Sequence, residues 1–110
     1  MQRDEPDFIL RMIAAAAAVV ARLRTKLGGG GSAEEVLAEA RAAQGELLGK
    51  DFSLLIALDP TTAAQMLGAR AGTWADLLDV EADALRAAGR KDEAYSAAAR
   101  ASGLRSARKP

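Results

Sequence analysis

Between Trp74 and Ala101 the chain reads as two helical segments hinged on one glycine. Leu and Ala recur at helical spacing up to Gly89, Arg90 and Lys91 follow, and a second Ala-rich run leaves from Asp92. A weaker copy of this turn lies 58 residues earlier, at Gly31-Ser32-Ala33-Glu34-Glu35-Val36. A helical pattern stopped by Gly and restarted within a few residues folds back as an antiparallel helix pair. Two such units frame the chain, and the residues between them form a connector. No alternating run of β-branched or aromatic residues competes with this reading. The fold class is all-α.

Composition says what kind of core such helices share. Half of the 110 residues are apolar, yet the aromatic ones are only Phe8, Phe52, Trp74 and Tyr95. Ala combines the highest helix propensity with the smallest side chain, so this chain predicts closely approaching helices around a thin core. A length of 110 residues fits one domain. The formal charge is zero, which argues against a dedicated nucleic-acid binder or a binder of anionic membranes. The C-terminal quarter is locally basic, with Arg86, Arg90, Lys91, Arg100, Arg105, Arg108 and Lys109 against Asp92 and Glu93, but no aromatic stacking platform accompanies it. There is no Cys and no His, which excludes disulfides, thiolate metal sites, a cysteine nucleophile and a histidine base. The apolar run from Met12 to Ala21 is about half a membrane span, and the residues before it are net acidic, unlike a signal peptide. A cytoplasmic location without a membrane partner is expected.

Taken in order, the first helix is expected over 6–27, opened by Pro6 and closed by the four glycines from Gly28. Phe8, Met12, Ala16, Val19, Leu23 and Leu27 recur along it every three or four residues. The glycine run is a connector, since a phosphate loop needs a preceding strand and a terminal Gly-Lys-Ser/Thr. Ser32 and Glu35 form a capping box that starts a helix over 33–48. Two short helices fill 51–67, the second opened by Asp59-Pro60. Thr73 is the expected cap of a helix over 74–88, and Asp92 starts the last, over 92–104. Residues 105–110 are expected to fray.

The turn Gly89-Arg90-Lys91-Asp92-Glu93-Ala94 resembles the tetratricopeptide repeat when read with Trp74, Leu77 and Leu78 upstream and Ala98 and Ala101 downstream. Val36 stands where that pattern has Ala, no Pro closes either unit, and the two units are not adjacent. Over most of 7–101 the chain also resembles a family of small bacterial all-helical proteins of unassigned function. That likeness rests on Asp7-Phe-Ile-Leu-Arg11-Met-Ile13, on Glu34-Glu35 after a glycine bend, and on Leu47-Leu-Gly-Lys-Asp51 followed by Leu54-Leu55. It implies a tetratricopeptide-like bundle of two long helix pairs joined by two short helices, and it brings no catalytic residues with it.

Function follows from what the pairs leave uncovered. Repeat-type helix pairs bury both faces only by stacking, and about three are normally needed. Two pairs leave an apolar edge, which predicts a non-enzymatic scaffold that self-associates as a homodimer or covers another protein. Leu54, Leu55, Leu58, Met66 and Trp74 are the expected contact residues. The rival is a small-ligand binder or enzyme built on Arg11, a lone charge in an apolar segment, with acidic partners in a pocket between helices. Asp76, Asp79 and Asp83 share a helix face but supply too few oxygens for a hard cation, so no metal and no cofactor is expected. Glu34, Glu35 and Glu39 could supply a paired acid and base, but two of them are accounted for by the start of their helix.

Overall fold

A computed structural model describes residues 4–108. The described chain is helical, with no strand: α1 (Asp4–Gly28), α2 (Ala33–Leu48), a short 3-10 turn (Gly49–Asp51), α3 (Phe52–Ala57), α4 (Pro60–Leu67), α5 (Arg70–Ala87) and α6 (Lys91–Arg108). The local signals act where the sequence places them. Ser32 Oγ accepts the Glu35 amide at 3.2 Å and opens α2. Asp59 opens α4 by accepting the Thr62 amide at 3.2 Å and its hydroxyl at 2.8 Å. At the hinge, Gly89 takes φ +80°, and the Arg90 amide closes on the Leu85 carbonyl at 2.8 Å. A side chain there would meet the left-handed penalty that Gly escapes. Gly30, at φ +88°, repeats the device after α1, with the Gly31 amide on the Lys26 carbonyl at 2.8 Å.

Helix α5 is the centre of the bundle and packs against α1, α2, α4 and α6. Trp74, Leu77 and Leu85 on α5 are fully buried, joined by Leu23 from α1, Val36 from α2 and Leu104 from α6. Nearly half of the buried apolar residues are Ala, which lets α6 lie close along α5 through Ala94, Ala97 and Ala101. In α1 no residue from Asp7 to Ala15 is buried, so its first turns stand outside the core.

Besides shifts of one or two residues, such as α1 starting at Asp4 and α6 at Lys91, two boundaries differ from expectation. Helix α5 begins at Arg70, so Thr73 is an interior residue and caps nothing; Ala69 precedes the helix without a side-chain cap. The early start is held from outside, because Arg70 Nη1 donates to the Leu47 carbonyl at 3.1 Å. At the other end α6 runs through Arg108, where fraying is expected from residue 105. Arg105 bridges to Asp76 at 2.5 Å and to Asp79 at 2.7 Å, and Ala107 packs on the core. Residues 109–110 lie outside the described residues.

Candidate functional site

Helices α2 and α6 stand apart over α5, and α3 closes one end of the gap. The residues that line it keep helical spacing on every element: Arg41 and Gln44; Phe52 and Ile56; Trp74, Leu78 and Glu81; Glu93, Ser96, Ala97 and Arg100. The cleft holds about 380 Å³, inside the range of small-molecule sites.

Gln44 organises its polar side. It is the one buried polar residue among those described, at 4% exposure. An indole N–H can only donate, so the Gln44 amide oxygen must face it: Trp74 Nε1 donates to Oε1 at 2.9 Å. That turns the amide nitrogen to Glu81, where Nε2 donates to Oε1 at 2.6 Å. Arg41 Nε donates to the other Glu81 oxygen at 3.1 Å. Glu93 receives both Nε and Nη2 of Arg90 at 2.9 Å. A polar line thus runs from the core to solvent and ties α2 to α5, ending where Arg41 Nη2 stands 3.8 Å from Glu93 on α6. Among the described residues no buried side-chain nitrogen or oxygen lacks a partner. At the far end Arg100 donates to the carbonyls of Ile56 at 3.0 Å and Leu58 at 3.3 Å, closing the end of α3. Its guanidinium lies 5.9 Å from the centre of the Trp74 ring.

The five expected contact residues do not form one surface. Leu54 and Met66 are about half exposed, and Leu58 is partly buried. Leu55 and Trp74 belong to the core, at 2% and 0% exposure. Trp74 is enclosed because α5 is the central helix, not an edge one. Arg11 is exposed on α1, and the arginines that line the cleft are Arg41 and Arg100. Arg41, Gln44, Glu93 and Arg100 went unread in the sequence as site residues. Gln44 does carry a signal, a polar residue at a core position beside Ala40, Ala43, Leu47 and Leu48. Asp76 and Asp79 are spent on Arg105, Asp83 on Arg86 at 2.7 Å, and no group of acidic residues among those described is placed to hold a metal. No helix among the described residues is long and apolar enough to cross a membrane. Comparison with family models, curated proteins and solved structures returns no match.

Ion pairs at the surface set the pH response. Arg22 and then Lys26 hold the Glu39 carboxyl below its ordinary value of 4.5, and Arg90 does the same for Glu93. The Thr62 hydroxyl and amide lower Asp59. The hydrogen bonds that Lys26 donates to Glu35 and then Glu39 raise it above 10.5. A depressed carboxyl contributes stability that is complete above its unfolded value and lost as pH falls through its folded value. A raised lysine contributes below 10.5 and loses that contribution as pH climbs. With no His to titrate, the melting temperature is expected to stay level between about pH 5 and 8. It should fall in acid below the ordinary carboxyl value, and less steeply in high salt, which screens these exposed pairs. Thermal melts followed by circular dichroism check this; a transition centred near neutrality would contradict it.

Proposed function

We propose that the protein is a non-enzymatic interaction module of two repeat-like helix pairs that acts in the cytoplasm as a homodimer, with the first turns of α1 as the contact. The observation that carries this reading is the exposure of Phe8 and Leu10, 56% and 60%, on a segment where nothing is fully buried. Exposed Asp7, Arg11, Ala14 and Ala18 form one ridge at helical spacing, with Leu10 on one flank and Phe8 and Ala15 on the other. The ridge is self-complementary. Reading Asp7-Phe8-Ile9-Leu10-Arg11 backwards exchanges its acid for its base about Ile9. An antiparallel second copy therefore sets Asp7 opposite Arg11 of the partner subunit, twice, as a two-fold contact requires. The same register brings Phe8 against Leu10 of the partner subunit, twice.

Magnitudes divide the labour. Covering a Phe or Leu side chain is favourable by about 1.5–3 kcal/mol, whereas an exposed ion pair contributes about 0–1 kcal/mol. The apolar residues supply affinity and the charges choose the orientation. Light scattering at two concentrations tenfold apart is expected to give a dimer mass. Asp7→Arg places like charges together and should yield a monomer, and Asp7→Arg with Arg11→Asp should restore the dimer. A monomer of the unaltered protein at both concentrations would refute the proposal.

A further inference from the structure

The cleft between α2 and α6 has a one-sided hydrogen-bond balance. Every carboxylate oxygen that faces it already accepts a donor: Glu81 from Gln44 and Arg41, and Glu93 from both arms of Arg90. Donors are left over. Arg41 commits only its Nε. Its Nη1 makes no hydrogen bond among the described residues, and its Nη2 stands 3.8 Å from Glu93, beyond hydrogen-bond range. The Ser96 hydroxyl and the Nε of Arg100 are also unengaged among the described residues. The rest of the lining is apolar. Leu78 and Ala97 form the floor over the enclosed Trp74, and Phe52 and Ile56 close the α3 end, with Ile56 41% exposed at the opening.

We infer that this cleft binds a small amphipathic carboxylate, its anionic group on Arg41 and Ser96 and its hydrocarbon body laid over Leu78 and Ala97 against Phe52 and Ile56. The spare donors disfavour the other ligand signs. A cation would compete with Gln44, Arg41 and Arg90 for every carboxylate oxygen and would meet the guanidinium groups of Arg41 and Arg100. A neutral apolar body would strip water from the free face of Arg41 and return nothing for it. A carboxylate matches the two terminal nitrogens of a guanidinium in paired geometry, which Lys cannot offer. Arg41 can make this contact without leaving Glu81, because its Nε and its terminal nitrogens point along different edges of the fork. A volume of about 380 Å³ sits at the low end of ligand sites, which suits a body of medium length. The same chemistry is offered by a free acid and by the C-terminal carboxylate of a peptide that ends in an apolar residue.

Trp74 is the single tryptophan and lies immediately beneath the cleft, so its fluorescence is the probe of occupancy. Octanoate titrated into the protein is expected to give a saturable change, with octanol and octylamine much weaker. Arg41 is exposed enough for Arg41→Gln to fold, and this variant should weaken octanoate at least about tenfold, the size of one charge-assisted contact, while leaving octanol unmoved. Ile56→Glu, at the exposed apolar end, should abolish octanoate binding. A short peptide ending in Leu, with its terminus free or amidated, separates the two sources: binding by the free form alone assigns the peptide, and binding by octanoate alone assigns the free acid. Equal binding of acid, alcohol and amine, or no saturable response to octanoate or to the peptide, would overturn the assignment. These readouts do not depend on self-association, which light scattering follows separately.

Discussion

Trp74→Ala is expected to lower the free energy of unfolding by about 3–5 kcal/mol, the range for truncating a large core aromatic. Against a total of about 5–15 kcal/mol for a domain, that is the difference between a folded protein and a marginal one. Two costs combine. Trp74 is the largest fully buried side chain, at 0% exposure on the helix that all the other long helices touch, so its removal opens a void that Ala-lined neighbours cannot fill. It also gives Gln44 Oε1 its donor at 2.9 Å, and loss of the indole leaves a buried amide oxygen unpaired. Trp74→Phe separates the two, keeping most of the volume while removing the donor, and should cost about 1–3 kcal/mol. Urea unfolding followed by circular dichroism measures both. A Trp74→Ala loss under about 1 kcal/mol, the size of an average substitution, would show that the core is not organised around this residue.

Gly103→Leu is expected to cost about 3 kcal/mol, at the upper end for overpacking. A Cβ on Gly103 would stand 2.8 Å from both Cβ and Cγ of Pro60. Pro60 is a rigid ring in the first turn of α4, so relief requires α4 and α6 to separate. Gly103→Ala sets this clash against about 1 kcal/mol of helix propensity, and a smaller net loss is expected. Gly45 in α2 is the control. Nothing lies within 4 Å of its missing Cβ, so Gly45→Ala should stabilise by about 0.5–1 kcal/mol. Both lie inside helices, and only tertiary packing gives the two substitutions opposite signs. If Gly103→Ala stabilises as much as Gly45→Ala, the close approach of α4 to α6 is wrong.

Those two glycines illustrate which parts of the fold were legible. Ser32, Asp59-Pro60 and Gly89 act on partners within a few residues, so their helices could be placed from local sequence. The start of α5 depends on Arg70 reaching Leu47, and the end of α6 on Arg105 reaching Asp76 and Asp79. Neither contact has a local signature. In the site, Gln44 carries the readable sign of a polar residue within an apolar stripe. Arg11 drew notice by the same logic, but it keeps register with Asp7, Ala14 and Ala18 on the outer face, not with buried Ala16, Val20 and Leu23. Trp74 looks isolated in the sequence, and its enclosure follows only from the central position of α5.

That central position has a consequence for biosynthesis. The ribosome makes α1 and α2 before α5, the helix against which both bury their apolar faces. The first hairpin therefore emerges with Val20, Leu23, Val36 and Leu37 uncovered, and at about 5–20 residues per second it waits seconds for its core. A nascent chain halted before Ala87 lacks the helix on which its apolar faces bury, and it is expected to be cut by proteases that spare the finished bundle.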